Sequence, residues 1–398
     1  MFIPKIDRSN GKVIQRLTST DFYKFTMQQI FLYLHFGSVA QYRFKCRNTD
    51  VNLLEFKDEI EDEIDYLCSL KFIPEELTYL SSISCLRSRY IDYLETFQLK
   101  RKYIQVTEKN KQLDIFMEGP LTEVSPFEIY VLKIVHEVYS RNVNPRSDKL
   151  LNEGRRRLIE KINLYNQFFH ETKIYPIIID FGTRRAYDEE WHEEVVSTLK
   201  DNNILSGTSN VMFAQLYNLN PIGSMAHEFC MLPQALVHPM DSQKVAFKNW
   251  INFYGNDLNI LLSDTLGDQK FLLDYDKDLA LRTNVRHDSG CPFQFGEMMI
   301  NHYESFGIDP KNKLIVFSDG LDFPKMFELE KRFKNRIKII HGIGTSLSND
   351  LGIKALQNVI KMVQANGFPV CKLSNNMSKA MSEDADYVTY LKSCLDKI

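Results

Sequence analysis

Six short runs in this chain gather the residue types that chemistry needs. Gly223-Ser224-Met225-Ala226 ends at His227, an imidazole whose ordinary pKa suits a nucleophile or a general base. Asp180-Phe181-Gly182-Thr183 runs into Arg184-Arg185, and Arg286 precedes His287-Asp288-Ser289-Gly290. Guanidinium groups bind polyanions through bidentate bonds. Gly342-Ile343-Gly344-Thr345 can offer backbone N–H groups to a phosphate, as can the turn Ser318-Asp319-Gly320. Asp288 and Asp319 can hold Mg²⁺ or ribose hydroxyls, and Gly207-Thr208-Ser209-Asn210 adds a further polar turn. Singly, each has a plainer reading: a surface ion pair, an Asx turn at Asp288, a hydrogen-bonded structural histidine. Taken together they describe a phosphate-bearing anion handled beside a histidine with Mg²⁺.

The elements around these runs explain how they can meet. Short apolar runs alternate with helical ones: strands are expected at 174–180, 204–207, 222–226, 260–264, 280–286, 314–318 and 337–341. Helices are expected at 127–141, 146–169, 189–200, 209–218 and 243–252. Repeated β-α units argue for a parallel sheet, and seven strands favour a closed barrel over an open sheet. The polar runs follow the strands, so they would share the C-terminal face. The first 125 residues read as an α+β unit, with a helix at 21–36 capped by Thr20 or Asp21 and strands at 39–47, 98–107 and 112–119. The expected division is 1–125, 126–365 for the barrel, and 366–398, whose strand at 369–373 returns to the N-terminal sheet.

Composition narrows the setting. The 398 residues carry 49 Lys+Arg against 52 Asp+Glu, and 44% are hydrophobic, so disorder is excluded as the main state. A balance of −3 argues against non-specific nucleic-acid binding. Seven widely spaced cysteines without a CxxC read as reduced thiols. With no apolar run at the start and none of about 18 residues anywhere, the expectation is a cytoplasmic protein without membrane contact.

The motifs, taken in order, resemble those of bacterial nicotinate phosphoribosyltransferases over nearly the full length. The matching pieces are Leu17-Thr18-Ser19-Thr20-Asp21-Phe22-Tyr23-Lys24, 180–186, 207–211, 223–228, 286–290, 317–319 and 342–345. The resemblance implies a type II phosphoribosyltransferase fold, an irregular α/β barrel with an N-terminal α+β domain. It implies transfer of the phosphoribosyl group of 5-phosphoribosyl 1-diphosphate (PRPP) to nicotinate, driven by ATP through a phosphorylated histidine, with Mg²⁺. By motif, His227 is that histidine. Phe181 would stack on the pyridine ring with Tyr23 opposite, which in some relatives comes from a second subunit, so a homodimer is admitted. Arg286 would hold the carboxyl group or nearby phosphates, Arg184 a phosphate, and Asp288 ribose or metal. Gly344 and Thr345 would cradle the 5′-phosphate beside Ser318 and Asp319, with Asp21 and Thr208 in the binding site.

Ser209 bears on specificity. The similar nicotinamide enzymes place an aspartate there, which would repel nicotinate; serine removes the repulsion and can donate. Glu228, as a strand neighbour of His227, would point away from it. The chain departs from the family at Cys291, where an acid commonly precedes Pro292, and at Gly320, where asparagine is common. The competing readings are an enzyme for nicotinamide or quinolinate, and a phosphate-ligand sensor without turnover.

Overall fold

The computed structural model describes residues 6, 8–373 and 382–397. Two sheets organise it. The first is antiparallel, in the order β12-β11-β1-β3-β2, from β1 (Val39–Cys46), β2 (Ile104–Lys109), β3 (Gln112–Pro120), β11 (Asn358–Ala365) and β12 (Phe368–Pro369). β2 and β3 form a hairpin whose last pair is Lys109↔Gln112, and Asn110 and Lys111 both take positive φ. Such a two-residue turn matches the twist of its strands. β11 has no counterpart among the expected strands, yet it lies centrally and pairs with β1 from Ala40↔Ala365 to Cys46↔Asn358. The strand expected at 369–373 is the two-residue β12, paired with β11.

The second sheet is parallel and seven-stranded: β6-β5-β4-β10-β9-β8-β7. Its strands are β4 (Ile178–Asp180), β5 (Leu205–Thr208), β6 (Asn220–Pro221), β7 (Ile260–Leu262), β8 (Asn284–His287), β9 (Leu314–Phe317) and β10 (Lys338–Ile343). It is the irregular barrel expected, curled but not closed by hydrogen bonds: among the described residues no ladder joins β6 to β7. Its helices run at Phe127–Val143, Asp148–Thr172, Glu189–Asp201, Val211–Tyr217 and Ser242–Tyr254, close to the expected spans.

Two expected strands are corrected. Residues 222–226 form no strand, because their backbone is engaged by helix α1 (Phe22–Leu34) instead of a ladder: the Thr26 hydroxyl donates to the Ser224 carbonyl at 2.6 Å. Residues 280–286 divide into the end of a helix, Lys277–Arg282, and β8; Asp276 caps that helix by accepting from Leu279 N–H. Asp21 takes the N-cap position of α1, but its side chain makes no capping bond. No helix among the described residues is long and apolar enough to cross a membrane, and Cys46, Cys68, Cys85, Cys230, Cys291 and Cys394 are free.

Candidate active site

The chain between β6 and β7 carries His227 as the first residue of a short helix, His227–Met231, not as the end of a strand. Its side chain is about 7% exposed, and Nε2 lies 2.7 Å from Asp264 Oδ1. Asp264 follows β7 and is buried; Lys372 Nζ stands 2.8 Å from its other oxygen. Burial, then Lys372, pushes the imidazole down to about 4 against the pull of Asp264 and Asp288. The ring is therefore neutral near pH 7. With Nε2–H donated to Asp264, Nδ1 keeps its lone pair. Burial opposes the Asp264 charge, but His227 and Lys372 hold its carboxyl well below the usual range.

Asp288 completes the group. Its Oδ2 is 3.5 Å from His227 Nε2 and 3.9 Å from Lys372 Nζ, and its Oδ1 accepts from the Ser318 hydroxyl at 3.1 Å. Burial again opposes ionisation, but Arg286, His227 and Lys372 bring Asp288 down to about 2. Arg286 Nε is buried without a hydrogen-bond partner. Arg185 is in the same condition: its Nε has no partner, and burial, then Arg184 and Arg47, pushes it down to about 9. Asp319 faces Arg185 electrostatically, and Asp288 faces both Arg184 and Arg185. Half-buried guanidinium groups whose Nε atoms at Arg185 and Arg286 lack hydrogen-bond partners leave donors that an anion would complete. Asp288 and Asp319 are hard oxygen donors suited to Mg²⁺ through water, while Lys372 already supplies a cation beside Asp264.

The other end of the site is built on the start of α1. The Ser209 hydroxyl donates to Asp21 Oδ1 at 2.7 Å, and both residues are buried. Burial raises the Asp21 carboxyl despite that bond. The serine proton expected to meet a substrate carboxylate is thus committed to Asp21. Thr208 is committed as well, donating to Asp180 Oδ2 at 2.6 Å. Asp180 also accepts from His192 Nε2 at 3.0 Å and Gly182 N–H at 2.9 Å, which fixes the turn that carries Phe181 and Arg184. Tyr23 faces Asp21 and Arg184 of its own chain, and burial raises its hydroxyl well above the usual range.

The glycines of the 342–345 run make room for Phe181. A Cβ on Gly342 would stand 2.4 Å from the Phe181 ring, and one on Gly344 would stand 2.9 Å from the Phe181 carbonyl oxygen. Thr345 opens the four-residue helix Thr345–Ser348 at the same corner. Glu228 does point away from Asp264, though as a helical residue and not a strand neighbour. It meets Lys24, Ser125 and Tyr42.

Sequence reasoning missed Asp264, Lys372 and Arg47. Asp264 carried a signal, since Ser263-Asp264-Thr265 follows an apolar strand just as the other polar runs do. Lys372 and Arg47 carried none: Arg47 follows β1 of the antiparallel sheet, and Lys372 lies three residues beyond β12. The two departures are also placed. Cys291 is exposed at the N-cap of helix Pro292–Ser305 and makes no capping bond, so an acid there would serve first as a cap. Gly320 has φ +59° with open space where a Cβ would lie, a conformation asparagine adopts readily.

A neutral histidine held by an aspartate, with half-buried guanidinium groups beside it at the C-terminal edge of a curled parallel sheet, defines an enzyme that works on phosphorylated small molecules. Comparison with known proteins makes this specific. Residues 18–136 match the nicotinate phosphoribosyltransferase N-terminal domain model, and residues 177–397 match the nicotinate phosphoribosyltransferase family model. The chain is 46% identical to a nicotinate phosphoribosyltransferase of Burkholderia ambifaria over 96% of each chain. It is 42% identical to that of Acinetobacter baylyi over 96% of this chain and 97% of the relative. Its fold superposes on a Vibrio cholerae nicotinate phosphoribosyltransferase with a TM-score of 0.91 at 33% identity, covering 99% of this chain and 96% of that one. The chain belongs to the nicotinate phosphoribosyltransferase family.

Proposed function

We propose that this chain joins nicotinate to PRPP, giving nicotinate mononucleotide and pyrophosphate for NAD biosynthesis, and that ATP drives the reaction through a phosphohistidine at position 227. The observation that carries the reading is the His227–Asp264 pair beside Asp288 and Lys372.

In the phosphorylation step Nδ1 attacks the γ-phosphorus of ATP. The N–P bond forms, the P–O bond to the β-phosphate breaks, and ADP leaves with that electron pair. Nε2–H stays on Asp264, which stabilises the positive charge that develops on the ring. In the transfer step the pyridine nitrogen attacks C1′, and the C1′–O bond breaks with its electron pair on the departing diphosphate. The centre gains oxocarbenium character, so positioning and charge matter more than a strong base. Arg184 and Arg286 receive phosphate oxygens or the nicotinate carboxylate, Phe181 and Tyr23 clasp the ring, and Gly344, Thr345 and Ser318 take the 5′-phosphate. Asp288 and Asp319 would hold Mg²⁺ through water, and the ion would supply positive charge to the diphosphate. Water finally cleaves the N–P bond, returning the neutral imidazole and phosphate.

Because Ser209 is committed to Asp21, the preference for the acid is assigned to the cations, with serine sparing the site a second carboxylate beside Asp21. The test is product formation from PRPP, Mg²⁺ and nicotinate, nicotinamide or quinolinate, with and without ATP. Nicotinate mononucleotide formed faster with ATP, with phosphate released, is the expected result. Turnover of another base in preference, or PRPP binding without product, would overturn the reading. A homodimer is compatible with it, and light scattering reports the state in solution.

A further inference from the structure

The segment that carries His227 is stitched to the helix that begins the base site. A Cβ on Gly223 would stand 2.8 Å from Tyr23 N, so the two backbones touch there. The Ser224 carbonyl accepts from Thr26 Oγ1 at 2.6 Å, and Ala226 N–H donates to Met27 Sδ at 3.2 Å. Lys24 Nζ lies 2.7 Å from Glu228 Oε1. Four contacts along 223–228 thus reach α1, whose first turn bears Tyr23 and follows Asp21. Only the last is an ion pair.

That pair is set firmly. Glu228 also accepts from Ser125 Oγ at 2.8 Å and Tyr42 Oη at 2.6 Å, and Lys24 Nζ stands 2.6 Å from Glu128 Oε2. Lys24, Glu128 and Glu228 are all buried. Burial works against the Lys24 ammonium, but the two carboxylates raise it, so it stays charged. One lysine between two carboxylates leaves negative charge, and the further cations facing Glu128 are Lys361 and Arg184. Arg184 belongs to the substrate site, so the charges behind His227 and those at the base site form one set. A phosphoryl group on His227 adds about −2 of charge one residue from Glu228. That charge arises on the segment whose four contacts form the seam to α1.

We infer that the Lys24–Glu228 pair is a positioning device that ties phosphorylation of His227 to occupancy of the base site; neither residue touches substrate. The inference rests on the ATP-coupled reading above. A pair that only stabilised the fold would change the amount of active enzyme but not how many ATP molecules are spent per product.

The experiment is therefore a ratio: ATP hydrolysed per nicotinate mononucleotide formed, in the full chain, Glu228→Gln and Tyr42→Phe, with phosphoprotein formed from ATP alone measured beside it. Glu228→Gln keeps one acceptor oxygen, for Ser125 or for Tyr42, and loses the charge. It is expected to raise the ratio at least threefold while phosphoprotein per folded molecule stays within twofold. Tyr42→Phe removes one donor to Glu228 and is expected to raise the ratio less. Wild-type ratios in both variants would overturn the inference and leave the proposed function standing. If Glu228→Gln does not fold, Tyr42→Phe decides alone. A parent chain that shows neither phosphoprotein nor ATP stimulation would overturn the ATP-coupled reading itself, and this inference with it.

Discussion

The described residues include two buried histidine–aspartate pairs, and their surroundings give them different work. At His192–Asp180 the carboxylate accepts from the imidazole, from Thr208 and from Gly182 N–H, and the His192 ring sits edge-on to Phe213. Its acceptors are used by the protein, and the pair locks the turn that presents Phe181 and Arg184. At His227–Asp264 the carboxylate is shared with Lys372, and the same Nε2 also lies 3.5 Å from Asp288, which leaves Nδ1 for chemistry. The same two side chains make a structural clamp where the carboxylate is spent on a turn's own donors, and a nucleophile where it sits with a lysine and a second aspartate.

This contrast can be broken at either pair. The largest effect is expected from His227→Ala, which should lower ATP-stimulated turnover by about 100-fold or more, leaving only slow ATP-independent transfer in a product assay. Asp264→Asn should cost about 100-fold in phosphoprotein formation, since asparagine cannot balance the charge that develops on the ring. Asp180→Asn should act on stability first, by about 3 kcal/mol in urea unfolding, with phosphoprotein formed per remaining folded molecule unchanged. Ser209→Asp places a second carboxylate beside Asp21 and should shift the nicotinate-to-nicotinamide preference by about 10-fold toward the amide. The smallest effect is expected from Cys291→Asp, a gain of about 0.5–1 kcal/mol from capping helix Pro292–Ser305.

The pH dependence follows from the depressed His227 pKa. Its folded value, about 4, lies below the ordinary 6.5. Protonation therefore favours the unfolded chain, and its contribution to stability is full above pH 6.5 and lost as pH falls toward 4. Phosphorylation should not fall through His227 protonation between pH 6 and 8. Lys372→Met removes one of the groups that depress this pKa, so the His227 midpoint followed by NMR should move upward.

Much of the arrangement was legible because parallel β-α units put every strand end on one face. Arg286, Asp288 and Ser318 could be grouped by that rule, whereas His227 was grouped through a strand at 222–226 that does not form, and it reaches the site on a helix. The rule failed where local pattern and tertiary contact compete. Residues 222–226 are apolar enough for a strand, but α1 takes their backbone. Asn358–Ala365 alternates around Lys361 and runs into the turn Asn366-Gly367, a hairpin signal absent from the expected strands, and its place beside β1 depends on a partner more than 300 residues away. The partners of His227 were hidden for the same reason: Lys372 arrives from beyond β12. Ser209 shows a different limit. Residue type correctly marked it as a donor, but only the fold shows that Asp21 receives the proton.

The most direct test is to map the phosphoryl group. The chain is incubated with ATP labelled at the γ-phosphate, digested under alkaline conditions that preserve phosphohistidine, and its peptides are sequenced by mass spectrometry. The account predicts acid-labile label on His227 and none on His192. Label on another residue, or ATP-stimulated product formation with no phosphoprotein in either the parent chain or His227→Ala, would contradict it.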